Sequence, residues 1–278
     1  GALPDTTPVS IASGATLDLA GQNESIAGLS GSGNVTLNNG TLSVIGSGST
    51  TFSGVISSPG LLTKSGSGTL SLAGANSYTG PTTVNAGKLA LTTAHSGGGA
   101  FVVADNAELS VQVSAPGTSL TMSSLTLGSS GKTTLDCELG SSGNPTAPVI
   151  IANNMVTATG GQVTINLAGG NFAPGQFKLI DYSGPLAGGF TFVLGSKPGG
   201  VPAALVDNIA DSSVDLIITN VDPLIWTGLT DNNWDINTTT NWQVPGSPTV
   251  FLEGSPIIFD DTASGSTDVN LTANVHPF

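Results

Sequence analysis

Hydrophobic and polar residues alternate along the first half of the chain in runs too short for a helix, each bounded by Gly, Ser, Asn or Pro. Thr16-Leu17-Asp18-Leu19, Asn34-Val35-Thr36-Leu37, Thr41-Leu42-Ser43-Val44, Thr69-Leu70-Ser71-Leu72, Lys88-Leu89-Ala90-Leu91 and Glu108-Leu109-Ser110-Val111-Gln112-Val113 all follow this rule. A period of two predicts strands with Leu and Val on one face and Thr and Ser on the other. Gly31-Ser32-Gly33, Asn38-Asn39-Gly40, Gly46-Ser47-Gly48 and Ser57-Ser58-Pro59-Gly60 supply the turns between them. No segment combines a 3.6-residue period with caps, so helix content is expected to be close to nil.

The strand-turn unit recurs about every 20 residues, a period typical of coiled parallel β architectures. A right-handed parallel β-solenoid is therefore expected over residues 1–140, with Leu, Val and Ile stacked inside and small polar residues outside. A sandwich of short strands is the competing architecture, because alternation alone does not separate parallel from antiparallel pairing. From Pro148 to Thr219 the runs lengthen: Val149-Ile150-Ile151, Gln162 to Leu167, Phe177-Lys178-Leu179-Ile180, Phe190 to Leu194 and Val214 to Ile218. Such runs suit strands covered on both faces, and a β-rich closing section is expected over residues 141–222. Trp226, Trp234 and Trp242 then fall within 17 residues, so a boundary at Asp222-Pro223 is expected, with residues 223–278 opening another module.

Composition narrows the function. Charged residues make up 8% of the chain, against about 25% in an ordinary soluble domain, while Gly contributes 39 of 278. Mean hydropathy of +0.24 argues against disorder. The five basic residues are all Lys (Lys64, Lys88, Lys132, Lys178, Lys197) and net charge is -13. Neither a nucleic-acid interface nor an anionic-lipid surface can be built from that set. No apolar run reaches the roughly 18 residues of a membrane helix, so no membrane insertion is expected. The single cysteine, Cys137, alternates in phase with Leu135 and Leu139 and is expected to be a buried, inert thiol. With no initiator Met, the sequence reads as a mature portion or an internal window, cut within modules at both ends.

Residues Gly60 to Leu91 carry a denser signal. Leu62-Thr63-Lys64, Gly66, Gly68-Thr69-Leu70, Leu72, Gly74-Ala75-Asn76, Tyr78-Thr79-Gly80, Thr82-Thr83-Val84, Gly87 and Leu89 stand at fixed spacing. This stretch resembles the autotransporter-associated β-strand repeat of β-helical passenger regions and long tandem-repeat bacterial surface proteins. Pro81 departs from the small residue expected in that pattern. Ser10 to Val44 looks like a degenerate preceding copy, Gln176 to Gly184 resembles a module's closing section, and Trp226-Thr227-Gly228 to Trp242 resembles the opening of the next. The resemblance implies an extracellular or bacterial cell-surface location and a β-helical fold. On the residues themselves, Tyr78 can cap a ladder, Asn76 can bond backbone amides or a neighbouring rung, and Lys64 is expected on solvent with its stem along the rung.

Candidate chemistry is sparse. Asp231, Asn233 and Asp235 have the spacing that opens an EF-hand calcium loop, but Ile236 and Trp242 stand where Gly and a bidentate acid are needed, which favours an Asx turn. Trp226, Trp234 and Trp242 form a sugar-stacking platform if exposed in a row, or a small core if packed inward; the module-opening pattern favours the core. Asp260 and Asp261 are expected in a strand, facing opposite ways, and Asp207, Asp211 and Asp215 on a solvated acidic rim. His95-Ser96-Gly97-Gly98-Gly99 reads as a loop between strands, and His276 has no assignable partner. A β-helix polysaccharide-degrading enzyme is disfavoured because Arg is absent and acids are dispersed. The expectation is a non-catalytic stalk, sheath or filament component with no cofactor. Its expected partners are copies or tandem modules of itself and cell-surface or matrix glycans. A glycan-binding adhesin or an autotransporter passenger is the alternative.

Overall fold

The computed structural model describes residues 3–141, 143–157, 161–184, 191–245 and 247–277; Phe190, placed by sequence in a strand, lies outside them. The alternating runs become rungs of a parallel β-solenoid. Sheet I stacks nine strands from Pro8–Ile11 to Thr191–Leu194, and sheet II stacks ten from Glu24–Ile26 to Ala203–Asn208, with an eleventh, Met155–Thr157, paired beside Ile150–Ala152 on Leu120–Leu127. A shorter sheet III holds Thr16–Asp18, Asn34–Thr36 and Val55–Ser57. Among the described residues the only helical element is the 3-10 turn Ile209–Asp211.

Rung length is not constant. In sheet II, Leu42 pairs with Leu62 and Leu62 with Thr82, twenty residues apart each time. Thr82 pairs with Phe101 nineteen residues on, and Phe101 with Leu125 twenty-four on. Ile150 then pairs with Ile180 thirty residues later. Sheet I widens in step, from Leu89 with Leu109 to Leu135 with Ile165. The change near residue 140 is thus one of rung length within continuous sheets, not the end of the solenoid.

One apolar core runs from Ile11 to Ile218. Successive rungs place Leu42, Leu62, Thr82 and Phe101, or Leu70, Leu89, Leu109 and Leu135, inside the coil. Burial of each such apolar side chain contributes roughly 2 kcal/mol. Cys137 continues the Val111 column, buried, with its thiol pKa raised first by burial and then by flanking Asp136 and Glu138. Full coverage on both faces does not extend to all the later strands. Gln162–Ala168 alternates buried and half-buried positions, whereas Ser213, Val214, Asp215 and Leu216 are all buried.

The parallel coil ends in a reversal. Ser213–Ile218 pairs antiparallel with both Gly175–Tyr182 and Ala203–Asn208, with a register shift between Lys178 and Ile180. Beyond it, Leu224, Trp226, Trp234, Trp242 and Phe251 form a second core. This module is built from small sheets in which Leu224–Trp226 runs parallel to Ile257–Ile258 and Asn233–Trp234 parallel to Asn270–Leu271. It docks on the solenoid through the Gly199 amide, which donates to Ser255 Oγ at 2.8 Å, and through close backbone approach of Gly254 to Gly169.

Candidate functional site

The repeat at residues 62–91 shows how a rung is made. Leu62, Leu70, Leu72, Val84 and Leu89 point into the core. Its glycines sit at corners, stacked on glycines one rung earlier. A Cβ on Gly66 would lie 1.8 Å from the Gly46 carbonyl oxygen, on Gly74 1.9 Å from Gly54, on Gly80 2.0 Å from Gly60, and on Gly68 2.2 Å from Gly48. Gly87, with φ +66°, continues the Gly68 column. These contacts are with backbone and cannot be relieved by a rotamer change, so the corners admit hydrogen alone. The columns end at Gly99, over Gly80, where the rungs begin to lengthen.

Sheet III ends at Val55–Ser57, and Asn76 closes its open edge. The Asn76 side-chain oxygen accepts the Ile56 amide at 2.8 Å, and its Nδ2 donates to the Gly74 carbonyl at 2.9 Å. Beside it Tyr78 is buried, with its hydroxyl 2.7 Å from Thr82 Oγ1 and its pKa raised by that burial. One rung on, His95 is buried against Tyr78 and Phe101, with ring centroids 4.8 and 5.9 Å away. Neither ring nitrogen makes a hydrogen bond of good geometry, and burial, opposed in part by the Asn76 backbone, lowers the imidazole pKa to about 4. Residues 93–97 connect Lys88–Thr92 to Gly98–Val103, and the strand takes in Gly98 and Gly99.

Lys64 corrects the expectation that it lies on solvent. It is buried in the column between Val44 and Val84, and Nζ donates to the carbonyl oxygens of Gly66 and, at 3.3 Å, Ala86. Burial lowers its pKa. Strand parity already held this answer, since Lys64 is in phase with Leu62; the general habit of lysine to seek water was the wrong guide.

The outer face of sheet I carries a charged cluster that sequence spacing did not assemble. Lys88 Nζ lies 2.7 Å from Glu108 Oε1 and 2.5 Å from Asp136 Oδ2. Asn166 Nδ2 donates to the other Asp136 oxygen at 2.8 Å. Burial opposes the charge of Lys88, but hydrogen bonds to Asp136 and Glu108 outweigh it and raise the pKa. For Glu108 burial dominates and holds the carboxyl toward its neutral form. The partners are 48 residues apart in sequence, so only the rung register reveals them.

The other singled-out residues fall as follows. The indoles of Trp226, Trp234 and Trp242 are buried and packed edge to face, with centroids 5.0 to 5.1 Å apart, and present no outward platform. Half-exposed Phe259 lies within 6.0 Å of all three. Asp231 accepts from the Asn233 amide at 2.8 Å, Asn233 Nδ2 at 2.8 Å and Asn241 Nδ2 at 2.6 Å, and the first of these leads in lowering its pKa. Asp235 instead accepts from Thr239, and Asn233 Oδ1 accepts from Asn270 at 3.0 Å. Asp231 and Asn233 thus share one turn network, and Asp235 belongs to another. Among the described residues no group of three or more His, Cys, Asp or Glu is arranged to hold a metal.

Three further expectations change. Asp260 and Asp261 lie in a turn, not a strand, with Asp260 capping the Thr262 amide at 2.8 Å. Asp215 is buried, not on a solvated rim, and accepts from Gln176 at 2.7 Å and Asn208 at 3.0 Å. Its neighbour Asp207 accepts from the Tyr182 hydroxyl at 3.3 Å. His276 has a partner, Glu253 Oε2 at 3.2 Å from Nδ1.

Residues 62–91 match the family model of the passenger-associated-transport-repeat. That is the segment whose glycines, Asn76, Tyr78 and Lys64 form the corners and closed edge described above. The repeat is one of passenger regions, which are secreted or surface-exposed. No curated protein matches the chain.

Proposed function

We propose that the chain is a non-catalytic rod segment of a surface-exposed or secreted protein, serving as part of a stalk, sheath or filament. The supporting observation is the uninterrupted parallel stack from Pro8 to Leu194 in sheet I. Nine strands about 4.8 Å apart give a rod about 40 Å long, held by ladders along its axis without any disulfide. The corner glycines belong to this reading, because they set rung separation and expose no chemistry. Further modules of the same kind, in tandem or on other copies, are the proposed partners. The antiparallel closing hairpin means that a following module docks as a new unit and does not extend the same ladder.

Electron microscopy of the native material tests this. Rods or unbranched filaments at the cell surface, labelled by an antibody to this chain, are the expected result. Dispersed compact particles with no rod axis would overturn it.

A further inference from the structure

Between the widened rungs and the second module lies a cleft of about 390 Å³, within the usual size range of small-molecule sites. One wall comes from Gln112, Glu138 and Asn171 of the solenoid, the other from Glu253, Gly254 and His276. We propose that this cleft binds a neutral, hydroxyl-rich chain, an oligosaccharide laid along the rod axis.

The lining chooses among ligand classes. Among the described residues at the cleft anions meet no free cation: nearby Lys88 is engaged by Glu108 and Asp136, and His276 faces Glu253. Among the described residues no Phe, Tyr or Trp lines the cleft, and the His276 imidazole is engaged by Glu253. Glu253 uses Oε2 for the backbone amide and Nδ1 of His276, while Oε1 is shut off from solvent without a partner. The Glu253 side chain is 35% exposed at the cleft wall, so a rotation of its carboxylate would bring Oε1 out to a donor, which a sugar hydroxyl supplies. Glu138 is held toward its neutral form by burial, with Lys88 opposing and Asp136 adding to the shift. Burial that disfavours the charge of Glu138 makes this carboxyl a better partner for hydroxyl groups than for an ammonium group. The direction of the ligand comes from a second depression of about 200 Å³ that shares Gln112 and Glu138 and runs down sheet I over Ser71, Ala90 and Ser110. These three are outward neighbours on successive rungs, so the trough follows the axis.

The test is calorimetric titration of the whole chain with cellobiose, maltose and diacetylchitobiose, their tetrasaccharides, and spermidine as the cationic probe. Expected is binding of at least one neutral series, tighter for the tetrasaccharide, and weakened tenfold or more by Gln112→Ala and by Glu253→Gln. The unfolding transition of both variants should match the parent, and Thr63→Ala on sheet II should bind as the parent does. No binding by any neutral probe, undiminished binding by the two variants, or binding of spermidine alone would each overturn the proposal. The outcome does not depend on the rod reading.

Discussion

The solenoid contains two regimes of one architecture. Between Leu42 and Phe101 each turn takes nineteen or twenty residues, corners are glycine on glycine, and the repeat match lies wholly inside. Between Leu109 and Ile180 turns take twenty-six to thirty residues, the Gly66, Gly74 and Gly80 columns have ended, a Cβ on Gly169 would lie 2.8 Å from the Gly140 carbonyl oxygen, and the extra length forms exposed loops such as 114–117. The core columns run through both without a break. Rung length is therefore decided at the corners and not by the core. Where backbone touches backbone, sequence is dictated position by position; where loops intervene, the surface is free to gather unlike groups, as the interdomain cleft does.

The sharpest way to break this contrast is at a corner. Gly66→Ala drives a methyl group to 1.8 Å from the Gly46 carbonyl oxygen and should cost well over ~4 kcal/mol, seen as loss of a cooperative thermal transition. Gly48→Ala, which meets nothing within 4 Å, and Gly140→Ala in the wide region, strained only by φ +61°, should each change stability by about 1 kcal/mol or less. If all three behave alike, the corner columns do not set the rung.

A second test uses acid. His95 titrates near 4 when folded and near 6.5 when unfolded, so the unfolded chain binds more protons between these values. Its contribution is present above pH 6.5, fades as pH falls toward 4 and is constant below, an amount of up to about 3 kcal/mol. Urea unfolding of the parent and of His95→Asn, which copies Asn76 of the previous turn, should diverge over that window. Parallel curves would mean the imidazole finds a partner.

A third, Asn76→Ala, leaves the Ile56 amide buried without its acceptor and should destabilise by about 2 kcal/mol, measured by urea midpoint. The mildest change is a five-residue Gly/Ser insertion after Pro116, in the exposed loop of the wide region. It should lower stability by about 1 kcal/mol, whereas the same insertion after Ser65 should abolish the transition.

Much of the narrow regime was legible in the sequence, because its period is written in glycine: Gly46 and Gly66, Gly54 and Gly74, Gly60 and Gly80 recur at twenty. Strand positions followed from alternation, and the interior places of Leu70, Leu72 and Cys137 from parity. What did not follow was continuation of the same coil to Leu194, since a period drifting from twenty to thirty residues no longer registers as a repeat. Burial of Asp215 was hidden because its cover, Gln176 and Asn208, arrives through a chain reversal that alternation cannot signal. The cleft was beyond reach for a related reason: Gln112 and His276 meet only once a second module has docked.

The twenty-residue step bears finally on time. Each new turn in the narrow region needs only the turn before it, so the loop to be closed is short and the same at every addition. Assembly can therefore advance as a front, with nucleation as the slow event and each later turn laid on a finished template. The thirty-residue turns slow that front without changing its direction. The antiparallel strand Ser213–Ile218 brings it to a halt, because a reversed edge no longer offers the pattern on which the next turn would form.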